Sequence, residues 1–154
     1  MRAPGVAPIV LSVLLVSGCT GDPEETGTPG PVCEGEYDTY EPGMQVRTTQ
    51  GNFYVEIVSA TPDPPDEGDN DWVVKVLSES GTPVEGGTVT VTPWMPAHGH
   101  GISPPNYSGQ AAPGDGEYSI PTFDLIMPGV WEFQFLVTES MMNDTVELSF
   151  CIEG

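Results

Sequence analysis

Over residues 131–137 the apolar side chains recur at every second position. Trp131, Phe133, Phe135 and Val137 fall on one face of an extended chain, and Glu132 and Gln134 fall on the other. That is the pattern of a strand with one face on a core and one in water. It returns at 145–151, with Val146, Leu148 and Phe150 inward, and at 88–92. No segment carries a helical period of useful length. A chain of such strands buries its apolar faces by stacking one sheet on another.

Strand signals come at fairly regular spacing along the chain. They fall at 44–49 (weakly), 53–58, 72–77, 88–92, 117–120, 131–137 and 145–151. Pro121 should bend its strand or place it at an edge, because proline cannot donate to a ladder. Residues 61–70, rich in Pro and Asp, read as loop. The 19 glycines and 17 prolines approach low-complexity levels but fall between alternating apolar runs, so they read as turns. The expectation is an all-β domain over residues 33–154, an Ig-like β-sandwich of about seven short strands.

The N-terminus addresses the chain. Arg2 precedes an apolar run from Val6 to Val16, and Val16-Ser17-Gly18-Cys19 closes it. This reads as a secretory leader over residues 1–18, too short to span a membrane. Its last four residues resemble a bacterial lipobox, which would make Cys19 the lipidated first residue; the alternative is an ordinary leader with a chance cysteine. Thr20 then points to the outer membrane, and residues 19–32 read as an acidic, flexible tether. Cys33 and Cys151 remain at the two ends of the folded part. In an oxidising envelope they read as a disulfide rather than as thiolate metal ligands.

With 23 acidic residues against three basic ones, the net charge is −20. This argues against nucleic acid as a partner, since its phosphates require a basic footprint. It also leaves the lipid on Cys19, rather than charge, as the contact with a membrane. The partners expected are that membrane, a cation, and an envelope protein that the sequence does not identify.

One stretch holds both histidines, Trp94-Met95-Pro96-Ala97-His98-Gly99-His100-Gly101. Thioether sulfur suits Cu(I), and imidazole suits copper or zinc. In an extended segment His98 and His100 would point to one face, roughly 6.5–7 Å apart. Pro96 could fold Met95 towards them, and Met127 could join if its strand lies alongside. Met95, His98, His100 and Met127 are therefore the candidate ligands, with copper as the ion. The competing reading makes the same side chains packing at the end of the sandwich, with sulfur–aromatic contacts to Trp94 and Trp131. The domain would then be a structural or protein-interaction module.

Catalysis is not expected. Ser103 is close to the histidines in sequence, but there is no Gly-x-Ser-x-Gly elbow and no His-Glu-x-x-His helix. The acidic stretch from Asp63 to Asp71 departs from the EF-hand order and reads as a solvated turn rather than a calcium loop.

The order of a strand with Trp72, a Gly81-Thr82-Pro83-Val84 turn, a Gly86-Gly87-Thr88-Val89 strand, Met95-Pro96 with His98-Gly99-His100-Gly101, Gly116-Glu117-Tyr118 and Met127-Pro128-Gly129-Val130-Trp131 resembles the YtkA-like domain family. These are small bacterial envelope domains related to FixH-like ones, and the resemblance spans residues 70–137. It implies an Ig-like β-sandwich outside the cytoplasm. Some relatives occur in copper-handling or oxidase-assembly settings, which adds weight to copper at Met95, His98, His100 and Met127. The acidic N-terminal part and the cysteine pair depart from the family pattern.

Overall fold

The computed structural model describes residues 32–154, in which there is no helix. The leader over 1–18, Cys19 and the tether up to residue 31 lie outside the described residues. Ten strands form: β1 (Met44–Arg47), β2 (Phe53–Thr61), β3 (Gly68–Ser78), β4 (Thr88–Met95), β5 (His100–Gly101), β6 (Tyr107–Ser108), β7 (Gln110–Ala111), β8 (Glu117–Leu125), β9 (Gly129–Glu139) and β10 (Met142–Ile152). They make two five-stranded antiparallel sheets packed as a sandwich, ordered β1-β2-β3-β8-β7 and β10-β9-β4-β5, with β6 also on β4.

The excess over seven strands is β5, β6 and β7. Each is two residues long, in segments too short to show a period. The expected loop at 61–70 is also shorter than anticipated, because β2 runs to Thr61 and β3 starts at Gly68. Asn70 explains the early start. It is fully buried, and its amide donates to the Asp66 and Gly68 carbonyls, tying the turn to the strand. Pro121 sits at an irregularity where β8 carries one residue more than β3 between the Trp72–Ile120 and Asn70–Phe123 pairs. That extra residue shifts the alternation, so Tyr118 and Ile120 before it, and Phe123 and Leu125 after it, all face inward.

The core is aromatic. Trp72 lies between the sheets with ring centroids 5.2 Å from Phe123, 4.7 Å from Phe133, 6.2 Å from Phe135 and 6.1 Å from Phe150. Its indole N–H has no hydrogen-bond partner among the described residues, which costs about 1–3 kcal/mol. Four ring contacts at about 0.5–1.5 kcal/mol each, added to the burial of the indole itself, outweigh that cost.

Two clasps hold the ends. Asp144 of β10 is buried, and its carboxylate accepts from the Thr48 hydroxyl at 2.7 Å and from the backbone N–H groups of Gln50, Asn52 and Thr145. It thereby joins β10 to the β1–β2 turn. At the other end Cys33 and Cys151 form the expected disulfide across 118 residues. The segment it anchors runs along β10, where Asp38 N–H donates to the Ser149 carbonyl and Tyr40 meets Phe150 edge-on. An otherwise open sheet edge is thereby covered.

Burial alone would raise the Asp144 pKa, but the donors from Gln50, Thr48, Asn52 and Thr145 bring it below the ordinary carboxylate value. A group with a depressed folded-state pKa contributes stability above its unfolded pKa and loses it as pH falls through the folded one. Asp144→Ala should therefore cost about 2–4 kcal/mol at neutral pH, and the gap to the wild type should narrow as pH drops below about 4. Urea melts of both proteins across that range measure it. Replacing Cys33 and Cys151 with serine should cost about 2–4 kcal/mol, because closing so long a loop restricts the unfolded chain. Denaturation of the double variant beside the wild type checks this.

Candidate metal centre

The candidate ligands gather at the end of the sandwich where β4 finishes and β9 begins. Strand β4 reaches Met95, one residue beyond Trp94. By alternation Trp94 points outward, 43% exposed, and Met95 points inward, 1% exposed. Pro96 cannot extend the ladder, and the chain turns over 96–99. The Gly99 N–H donates to the Met95 carbonyl at 2.9 Å, and Gly99 takes a positive φ of 66° that closes the turn. The return strand β5 pairs His100 with Met95 and Gly101 with Trp94.

The two histidines are thus not both on an extended segment, as their spacing suggested. His98 lies exposed in the turn, and His100 lies half-buried in a strand opposite Met95. The turn still brings them together, with ring centroids 5.8 Å apart. The His100 ring also meets Trp131 edge-on at 6.1 Å. Its Nδ1 is 3.1 Å from the Gly101 carbonyl. A carbonyl only accepts, so Nδ1 carries the hydrogen and the Nε2 lone pair is left available.

Met95 reaches towards the start of β9. Gly129 has a φ of 137°, and a Cβ there would lie 2.8 Å from the Met95 methyl carbon. A cleft of about 180 Å³ opens beside this contact, walled by Met95, His98, Pro128, Gly129, Val32 and Glu34. Met127 is packed against the core, and its carbonyl accepts from the Trp131 indole N–H at 2.9 Å. Neither it nor His100 lines the cleft. The structure therefore brings Met95, His98 and His100 into one neighbourhood and uses the Met127 backbone to fix Trp131, on which His100 rests.

Among the described residues no three His, Cys, Asp or Glu side chains form a ready metal cluster. Any ion held here would rely on two imidazoles and a thioether. Val32 and Glu34 were missed by the sequence reading. Cys33 pairs with Cys151, which lies beside Ile152, and Ile152 is opposite Gly129 in the β9–β10 ladder. The disulfide and that ladder together carried the signal for placing residues 32–34 here.

The family profile of YtkA-like domains matches residues 48–135. The chain belongs to the YtkA-like family. The match begins earlier than residue 70, taking in β2, and includes Met95, His98, His100 and Met127. It excludes β10, the Cys33–Cys151 bridge and Glu34, which this YtkA-like domain adds to the family segment. No curated protein and no solved structure matches the chain.

The contact between β4 and β9 can be tested apart from any ligand. Gly129→Ala forces an alanine to a positive φ and presses on the Met95 methyl; it should cost about 1–3 kcal/mol and move that methyl's NMR signal. Gly99→Ala meets nothing within 4 Å. It should cost only the backbone strain, about 1–2 kcal/mol, and leave the Met95 methyl in place.

Proposed function

We propose that this YtkA-like domain is a non-enzymatic copper-binding module of the cell envelope, tethered through a lipid on Cys19 to the outer membrane. The observation that carries the reading is the pairing of the His98 and His100 rings, with His98 sharing a cleft with Met95, His100 opposite Met95 in the β4–β5 ladder, and Nε2 of His100 left free by the Nδ1–Gly101 bond. Two imidazoles and one soft sulfur are few donors. They fall short of the four ligands zinc takes in structural sites and of the oxygen cage calcium needs, whereas a soft thioether favours Cu(I).

His98, His100 and Met95 would hold the ion, and Met127 would act through Trp131 rather than as a donor. Bound copper would be cargo, held where the exposed His98 allows it to enter and leave. The net charge of −20 favours the approach of any cation. Attachment at Cys19 would place this end of the sandwich nearer the membrane, because the chain enters the domain at Cys33, next to the cleft.

The second reading, a structural or interaction module, rests on Met95. A side chain 1% exposed and wedged at Gly129 is also a core residue.

Anaerobic Cu(I) titration against a competing chelator separates the two readings. The copper reading expects one tight equivalent, lost in His98→Ala/His100→Ala while the urea midpoint moves little, and weakened at least about tenfold in Met95→Leu. Absence of binding by the wild-type protein would overturn it and leave packing as the role of the loop.

A further inference from the structure

The outer face of the same sheet carries a second feature, on the opposite side of β4 from Met95. Trp94 is the one tryptophan of three that is not buried; Trp72 and Trp131 are 1% and 0% exposed. Its cross-strand neighbour on β9 is Glu132. The next outward residue on β9, Gln134, is paired with Glu147 on β10. Thr92, Trp94, Glu132, Gln134 and Glu147 together line a cleft of about 240 Å³ across the three strands.

We propose that this cleft is a docking point for an arginine side chain presented by a partner protein, its guanidinium lying on the Trp94 ring and bridging Glu132 and Glu147. The planar fork of arginine suits both tasks, stacking on an aromatic face and donating to carboxylates.

The charge balance calls for a cation from outside. Arg47 and Lys75 lie on strands of the opposite sheet, and Arg2 is outside the described residues. The ion pair found among the described residues is Arg47–Glu79, on that other sheet. Glu132 is half-buried, and burial followed by the nearby Glu147 charge pushes its carboxyl above the ordinary value, a penalty that a guanidinium would relieve.

Size favours a side chain over a free metabolite. Small-molecule sites usually enclose about 300–1,000 Å³, and this cleft is smaller and lies on an open sheet face. Arginine is enriched at protein interfaces and among their hot spots, where it anchors in a small pocket ringed by contacts that exclude water. None of this depends on copper at the inner side of β4.

The test follows the Trp94 indole N–H signal in ¹H–¹⁵N spectra of the protein during titration with acetyl-Gly-Arg-Gly-amide. The same peptide with citrulline has nearly the same shape without the charge. The arginine peptide should shift that signal saturably, and the citrulline peptide should not. Glu132→Gln/Glu147→Gln should weaken the response at least about tenfold. The control Glu85→Gln/Asp115→Asn removes two exposed charges elsewhere and should leave it unchanged. The Trp72 and Trp131 signals report that each variant remains folded.

Equal shifts with the citrulline peptide, a response surviving in Glu132→Gln/Glu147→Gln, or no shift at all would overturn the proposal. So would a Trp94 shift produced by cellohexaose and not by arginine, which would make the face a glycan platform.

Discussion

The packing of Trp72 against Phe133, Phe135 and Phe150 joins the two sheets, and the position of every strand near the candidate site follows from it. It fixes β9, whose inward row is Trp131, Phe133, Phe135 and Val137. Trp131 is the last rung of that row. The Met127 carbonyl accepts from its indole N–H, and the His100 ring meets it edge-on. His100 is therefore built on the end of the core, while His98 stands exposed in the turn before it.

Met95 has two roles for the same reason. It fills the end of the core against Gly129, and it walls the cleft beside His98. A flexible thioether can do both, because its unbranched chain adapts to an irregular gap while its sulfur remains a soft donor. The disulfide brings in a third part, the residue 32–34 segment, and so makes Val32 and Glu34 part of the cleft wall. Asp144 does the equivalent at the far end with hydrogen bonds in place of a covalent bond. β10 is thus fixed near both ends, one by each clasp.

Much of this was legible beforehand. The alternation at 131–137 and 145–151 marked two of the three longest strands, because one wet face and one dry face leave a period of two in the sequence. The Cys33–Cys151 pair was legible because two cysteines at the two ends of one folded domain, behind an expected secretory leader, have few other uses. Strands β5, β6 and β7 were not legible, since a two-residue strand has no period and exists only because β4 or β8 lies beside it. The start of β3 was hidden as well. Asn70 reads as a loop residue until its amide is seen to bond the Asp66 and Gly68 carbonyls.

At the site, the sequence by itself determined the side-chain types and the Pro96 and Gly99 turn chemistry. Those depend on residue identity and local geometry. Tertiary structure alone decided that His98 sits in a turn while His100 sits in a strand, and that Met127 contributes a carbonyl to Trp131. It also decided that Glu34 and Val32 wall the cleft, and that Trp94, Glu132 and Glu147 meet on one outer face. Each of these turns on which strands become neighbours and in what register. Register is set by the fit of two apolar faces across the whole sandwich, a sum over many contacts that no single segment encodes.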